Sequence, residues 1–269
     1  MDDRPIGVFD SGIGGLTAVK ELIRLLPHED IIYFGDTGRV PYGTRGNETI
    51  LKYARQDTDF LLSQNVKLVT AACGTASSVL PGSFAEECGV PFTGVIVPAA
   101  QAACATTRTG VIGVIGTPAT IKNRAYGKAI RNIDPSVTVI GNPCPLFVPL
   151  VENGYTEKDN PVIRMVAEEY LAPFAGTGMD TLILGCTHYP LLKGVIREIL
   201  GDEVTLVDPG AETARYVANL LTGRRLLSSR HTPGTLRFYV SDSTENFSEN
   251  AGRFLQRNIT EAVERIELG

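Results

Sequence analysis

The sequence predicts an α/β protein with two pseudo-symmetric lobes, each built on an open parallel sheet. Short apolar runs alternate with longer amphipathic runs along the 269 residues, a pattern typical of parallel strands covered by helices on both faces. In addition, residues 6–11 (IGVFDS) are echoed by residues 112–117 (IGVIGT), and residues 68–73 (LVTAAC) by residues 181–186 (TLILGC). Because both echoes run in the same order at similar spacing, they indicate two related lobes facing each other across a cleft.

The individual elements follow from the same alternation. The first half predicts strands at residues 6–9, 31–34 and 67–71 and helices at residues 16–26, 48–62 and 75–87. The second half predicts strands at residues 111–115, 137–140, 181–184 and 236–240, helices near residues 119–131, 162–174 and 212–221, and a final helix and short strand. We expect residues 1–97 and 209–269 to form lobe A, which carries Cys73, and residues 98–208 to form lobe B, which carries Cys186.

Composition narrows the classes of protein to which the chain can belong. An apolar fraction of 43% supports one or two hydrophobic cores. A net charge of -5 with scattered basic residues argues against nucleic-acid binding. We expect neither a signal peptide nor a membrane span, because the first residues are charged and no apolar run is long enough. Five cysteines without a CxxC pair predict free thiols in a reducing cytoplasm, with neither a disulfide framework nor a structural zinc site.

Two of the five cysteines stand at the carboxyl ends of echoed strands, the edge where open α/β sheets bind ligands. A lone intracellular cysteine is most often a small buried apolar residue. A matched pair from two lobes instead suits inversion at carbon, which needs a base on one face and an acid on the other. The helix that starts after each of Cys73 and Cys186 predicts a thiolate at both positions. Cys88, Cys104 and Cys144 have no echo and are predicted to be structural.

Polar residues accompany each cysteine of the pair. Asp10 ends the first strand and His188 follows Cys186 by two residues, so each is placed to move or stabilise a proton on its own side. Capping of the next helix is an equally weighted role for Asp10, and a satisfied core histidine is the alternative for His188. Hydroxyls at strand ends, with the adjacent amides, are candidates for binding the carboxylates of an amino acid. These hydroxyls belong to Ser11, Thr75, Thr117 and Thr187.

The loop Pro41-Tyr42-Gly43 offers a hydroxyl and a closely approaching backbone, the alternative being a surface turn. A second motif, Gly12-Ile13-Gly14-Gly15 after a strand, imitates a dinucleotide-binding fingerprint. Thr17 occupies the third glycine position, and Asp10 puts a carboxylate where a pyrophosphate would lie, so we reject that interpretation. A P-loop is absent. We expect no cofactor and no metal; a pyridoxal-binding lysine is the alternative that the sequence leaves open.

Four segments together resemble the glutamate racemases of the aspartate/glutamate racemase superfamily. These are VFDSGIGG at residues 8–15, PYG at residues 41–43, ACGTAS at residues 72–77 and GCTHYP at residues 185–190. The resemblance covers nearly the whole chain. It implies interconversion of L- and D-glutamate without pyridoxal phosphate or metal, the supply of D-glutamate for peptidoglycan, and a homodimer.

The resemblance also implies roles for individual residues. Cys73 and Cys186 would be the acid/base pair, assisted by Asp10, Glu152 and His188. The expected substrate site comprises Asp10, Ser11, Pro41, Tyr42, Gly43, Gly74, Thr75, Thr117, Thr187 and His188. One position departs from the pattern, because the family usually has asparagine where this chain has Gly74. A substrate group left unpaired by the lost amide would weaken binding by about 1–3 kcal/mol. A weakly active or non-catalytic glutamate-binding homologue is therefore one alternative, and racemization of aspartate or another amino acid is the alternative within enzymes.

Overall fold

The computed structural model describes residues 1–268 as an alternation of strands and helices. The strands are β1 (Ile6–Asp10), β2 (Ile31–Gly35), β3 (Leu68–Ala71), β4 (Phe92–Gly94), β5 (Val111–Gly116), β6 (Thr138–Pro143), β7 (Thr181–Gly185), β8 (Thr205–Val207), β9 (Leu236–Val240) and β10 (Val263–Arg265). The helices are α1 (Leu16–Leu25), α2 (Asn47–Ser63), α3 (Gly74–Ser77), α4 (Phe84–Glu87), α5 (Ile96–Thr106), α6 (Pro118–Asn123), α7 (Ala125–Ile133), α8 (Phe147–Glu152), α9 (Pro161–Leu171), α10 (Lys193–Leu200), α11 (Pro209–Gly223) and α12 (Thr244–Leu255).

The strands form two separate parallel sheets, which confirms the predicted two-lobe α/β fold. The larger sheet, in lobe A, has the order β10-β9-β2-β1-β3-β4, and the smaller, in lobe B, has the order β6-β5-β7-β8. Ile6 of β1 pairs with Ile31 on one side and Leu68 on the other. In the smaller sheet, Gly116 at the end of β5 lies opposite Gly185 at the end of β7. The exact boundaries proposed for the lobes stay a prediction.

Burial explains why these runs become strands. β1, β2, β3 and β7 are buried along their whole length, as expected for parallel strands covered on both faces. Helix α1 presents Leu16, Val19 and Leu22 to the core, with the three-to-four-residue spacing of an amphipathic helix. No helix within residues 1–268 is long and apolar enough to cross a membrane.

Two predicted helices are each divided in the structure. The helix expected at residues 75–87 is split into α3 and α4, with Pro81 between them, because proline lacks the amide that an α-helix needs. The helix expected at residues 119–131 is split at Arg124, whose φ of 53° is left-handed. Strands β4 and β8 and helix α8 were not predicted from the sequence.

The C-terminal segment returns to lobe A. Strands β9 and β10 join the edge of the larger sheet, and α12 lies between them in the chain. Phe247 of α12 stacks on Tyr33 of β2, with ring centroids 6.0 Å apart. Helix α12 therefore belongs to lobe A by its packing, and its last turn reaches the cleft between the lobes.

Candidate active site

A cavity of about 400 Å³ lies between the lobes, where strands of both sheets end. Most of the residues predicted for the site line this cavity: Ser11, Pro41, Tyr42, Gly43, Cys73, Gly74, Thr75, Thr117, Glu152, Cys186, Thr187 and His188. Asp10 is the exception, because it is buried behind the cavity wall at the end of β1. The rest of the wall is largely apolar and includes Val40, Pro145 and Val148. The two thiols thus reach one ligand-sized space from different lobes.

Cys73 lies between β3 and α3 and is almost fully buried. Its Sγ accepts a hydrogen bond from the Ala76 amide at 3.4 Å and donates one to Ser11 Oγ at 3.5 Å. Burial, together with the nearby charge of Asp10, raises the pKa of the Cys73 thiol to about 12. The prediction of a resting thiolate here is wrong, because desolvation outweighs the effect of a helix of only four residues.

Asp10 has one paired and one unpaired carboxylate oxygen. Its Oδ1 accepts a hydrogen bond from the Gly15 amide at 3.0 Å, directly before α1 begins. In the part of the chain that the structure describes, the buried Oδ2 has no hydrogen-bond partner. Burial raises the pKa of Asp10 to about 6. Helix α1 has Gly15 as its N-cap and no side-chain cap hydrogen bond, so the structure does not bear out the predicted capping of α1 by Asp10.

Cys186 has a different set of partners. His188 Nδ1 lies 3.9 Å from Cys186 Sγ, and His188 Nε2 lies 2.9 Å from Glu152 Oε1. Burial alone would lower the pKa of His188, but its hydrogen bonds to Cys186 and Glu152 raise that pKa to about 10. His188 is therefore a cation at neutral pH. A cation at this position stabilises negative charge that develops on the sulfur during proton transfer.

Hydroxyl groups from both lobes meet at the cavity. Thr75 Oγ1 of lobe A lies 2.9 Å from Thr117 Oγ1 of lobe B, which lies 2.9 Å from Thr120 Oγ1. Thr117 also caps α6 by accepting a hydrogen bond from the Thr120 amide. These hydroxyls can donate or accept hydrogen bonds, and Thr75 and Thr117 line the cavity.

The Tyr42 hydroxyl does not face the cavity, although the sequence predicted that it would be available to a ligand. The side chain is fully buried, and its hydroxyl donates to Asp36 and also lies 3.0 Å from Asp57 Oδ2. Arg39 completes this cluster by pairing with both carboxylates. Two buried carboxylates attract the phenol more strongly than a solvent-filled cleft does. Tyr42 therefore lines the cavity wall without offering its hydroxyl to a ligand.

Two glycines set how closely the lobes approach. A side-chain Cβ at Gly14 would lie 2.6 Å from the His188 ring, and a Cβ at Gly74 would lie 2.5 Å from the carbonyl oxygen of Gly185. Real Cβ atoms essentially never come this close to other heavy atoms. Both contacts join lobe A to lobe B, so glycine at these positions lets the two cysteine-bearing edges come together.

Comparison with known proteins identifies the family of this chain. The family model for Asp/Glu/Hydantoin racemase matches residues 14–217. The chain belongs to this family. A glutamate racemase of Geobacter metallireducens is 50% identical to it over 255 residues, which cover 95% of this chain and 94% of the relative.

Solved structures of the family share the whole fold. Glutamate racemase isoform RacE1 of Bacillus anthracis has a TM-score of 0.94 at 36% identity, covering 100% of this chain and 99% of that one. Glutamate racemase of Francisella tularensis, solved in complex with D-glutamate, has a TM-score of 0.91 at 40% identity with the same coverage. The predicted superfamily membership is confirmed.

Several parts of this racemase-family site escaped the sequence analysis. The wall residues Pro145 and Val148 come from α8 and the turn before it, which were not predicted from the sequence. Cys144, predicted to be structural, is fully buried and lines the same wall. Phe254 of α12 packs its ring edge-on against His188, with centroids 5.2 Å apart. In residues 1–268 no group of three or more His, Cys, Asp or Glu side chains is arranged to hold a metal ion.

Proposed function

We propose that this chain interconverts L- and D-glutamate by proton transfer at Cα between Cys73 and Cys186, without an added cofactor. The observation that carries the proposal is the placement of two thiols from different lobes on one cavity. Inversion requires that a proton leave one face of the carbon and another arrive at the opposite face. The names of the Geobacter and Francisella relatives, and the D-glutamate bound by the latter, support glutamate as the substrate.

In each direction one cysteine takes the Cα proton as a thiolate and the other donates a proton as a thiol. The carbanion between the two steps is planar at Cα, so the second proton adds to the face opposite the first. The partners of the two cysteines differ: Asp10 accepts or returns the proton of Cys73, while His188, held by Glu152, stabilises charge on Cys186. The roles of the two thiols exchange with the direction of the reaction.

The substrate carboxylates would be held by neutral groups, because the His188 ring is already bonded to Cys186 and Glu152. No lysine or arginine is among the described residues that line the cavity. The hydroxyls of Ser11, Thr75, Thr117 and Thr187, with neighbouring backbone amides, are the available donors. Hydrogen bonds from such donors to a charged acceptor are stronger than those between neutral groups. The wall formed by Val40, Pro145 and Val148 would cover the methylene groups of the side chain.

The test is inversion of L-glutamate by the purified protein with no cofactor added. Circular dichroism monitors the inversion. We expect inversion by the unmodified protein and its loss in both Cys73→Ala and Cys186→Ala. Cys104→Ala is the matched control, because Cys104 is a partly exposed thiol on α5 that does not line the cavity. Inversion that survives either of the first two substitutions would refute the two-thiol mechanism.

Two alternatives to this proposal remain. The alternative within enzymes is racemization of aspartate or another amino acid. The second alternative, motivated by Gly74 in place of the asparagine usual in the family, is a weakly active or non-catalytic glutamate-binding homologue. A panel of L-amino acids separates these possibilities: preference for aspartate would replace the glutamate assignment, and glutamate binding without inversion would favour the binding role. We further propose, on the family resemblance, that the chain acts as a cytoplasmic homodimer supplying D-glutamate for peptidoglycan.

A further inference from the structure

The last turn of α12 contacts the acid/base residues of the opposite lobe. Arg253 Nη1 donates to the carbonyl oxygen of Glu152 at 2.9 Å and to that of Val151 at 3.3 Å. The next residue, Phe254, packs edge-on against the His188 ring. Helix α12 is anchored on lobe A through Phe247, so these contacts cross the cleft. The two hydrogen bonds of Arg253 join residues more than 100 positions apart in the chain.

Glu152 lies at the end of helix α8, where an arginine can stabilise the last carbonyl groups. Glu152 is the last residue of α8, a helix of only six residues. The final carbonyls of a helix have no partner within it and are stabilised by a cation or another donor. The side chain of Glu152 is about half exposed at 47%, so burial does not fix it in place. Its hydrogen bond to His188 Nε2 depends on where the end of α8 is held.

We infer that Arg253 is a positioning residue for the Cys186 half of the site, holding the end of α8 so that Glu152 keeps His188 directed at Cys186. Arg253 acts through Glu152 and does not touch the substrate cavity. Because it comes from lobe A, the assistance given to Cys186 depends on the lobes being closed. This inference rests on the proposed racemization and adds a residue to it.

The isotope test uses glutamate deuterated at Cα, measured in both directions with Arg253→Gln, Arg253→Lys and the unmodified protein. The interconversion of two enantiomers has an equilibrium constant of one, so kcat/KM must fall by the same factor in both directions. We expect this factor to be roughly tenfold for Arg253→Gln. If only the Cys186 step slows, the deuterium isotope effect rises for the enantiomer that Cys186 deprotonates and falls for the other. Arg253→Lys, which keeps a cationic donor, should restore part of the rate.

Arg257→Gln is the matched control, because Arg257 is a nearby arginine that pairs with Glu261 away from the cavity. We expect its rates and isotope effects to match those of the unmodified protein. A rate loss in Arg253→Gln with unchanged isotope effects for both enantiomers would overturn the inference, since general loosening of the fold does not select one proton transfer. An unchanged rate in that variant would overturn it as well. If the unmodified protein itself fails to invert glutamate, the proposed function falls, and the inference with it.

Discussion

The Cys73 half and the Cys186 half of the site share a scaffold and differ in charge. Each cysteine follows a buried parallel strand, β3 in lobe A and β7 in lobe B. Cys73 has a hydroxyl and a buried carboxyl, Asp10, as neighbours, whereas Cys186 has an imidazole held by Glu152. On the proposed mechanism, the repeated fold thus surrounds its two cysteines with different proton-exchanging groups.

The difference in charge sets the resting state of each half. Burial and Asp10 raise the pKa of Cys73 to about 12, so Cys73 rests as a thiol. Hydrogen bonds to Cys186 and Glu152 raise the pKa of His188 to about 10, despite burial, so a cation stands beside Cys186. The comparison teaches that matched sequence motifs predict matched positions, while the environment beyond the motif decides the protonation state.

Among the groups that accompany the two cysteines, the largest effect should come from removing the cation of the Cys186 half. His188→Asn keeps a polar side chain but cannot be protonated, and we expect kcat to fall by about 10³-fold, within the range for loss of acid–base assistance. Steady-state inversion of both enantiomers measures this effect. Mutation of His28, a surface histidine bonded to the Thr232 carbonyl, is the control, and His28→Asn should leave kcat unchanged. Equal loss in the two variants would contradict the role of His188.

Asp10, in the Cys73 half of the site, should affect the free energy of unfolding. Burial raises the pKa of Asp10 from 3.8 to about 6, so the folded state binds this proton more tightly than the unfolded state. Stability from this group is therefore present below about pH 4 and is lost as the pH rises through 6, a difference of about 3 kcal/mol. Asp10→Asn should raise the free energy of unfolding in urea by up to about this amount at pH 7.5, and by less at pH 5. A less stable Asp10→Asn protein at pH 7.5 would contradict this view of the buried carboxyl.

The pH dependence of kcat/KM should reflect the ionisation of one group in each half of the site. Below the Asp10 pKa of about 6 the carboxyl is protonated, and above the His188 pKa of about 10 the imidazole loses its charge. We expect activity to decline beyond each of these values in a bell-shaped profile. Asp10→Asn should remove the acid limb and leave the alkaline one. A profile in which both limbs move together would mean that the halves do not titrate independently.

The smallest effect concerns the contact between the lobes. Gly74→Ala places a Cβ where it would lie 2.5 Å from the Gly185 carbonyl oxygen, so the lobes must separate slightly. We expect a loss of about 1–3 kcal/mol in stability, as for other overpacked sites, and a lower kcat. Gly74→Asn carries the same Cβ with an added amide. A lower KM in Gly74→Asn than in Gly74→Ala would mean that the amide binds substrate, and equal KM values would mean that it does not.

The sequence predicted the two-lobe fold and the cysteine pair because both leave local patterns. Apolar runs and echoed strand ends are visible without knowledge of which residues meet. The protonation of Cys73 was predicted wrongly because it depends on burial by distant segments. The Tyr42 hydroxyl was misplaced because its acceptors, Asp36 and Asp57, carry no motif that links them to it.

The remaining parts of the site depend on contacts between segments far apart in the chain. Glu152 entered the analysis only through the family resemblance, because it lies 36 positions from His188 on a helix that was not predicted. Arg253 and Phe254 were missed altogether, since α12 resembles any amphipathic surface helix in sequence. Contacts that cross the cleft are set by how the lobes pack, and a single sequence gives no periodic signal for that.

The central claim is that two thiols act from opposite faces of one carbon, and solvent deuterium incorporation tests it most directly. L-glutamate is converted in deuterated water, and product and remaining substrate are separated and analysed by mass spectrometry after a few per cent conversion. Two separate thiols predict D-glutamate that carries deuterium at Cα, with the remaining L-glutamate almost unlabelled, because the donating thiol has exchanged with solvent. D-glutamate that retains the original proton would indicate a single base serving both faces and would contradict the account.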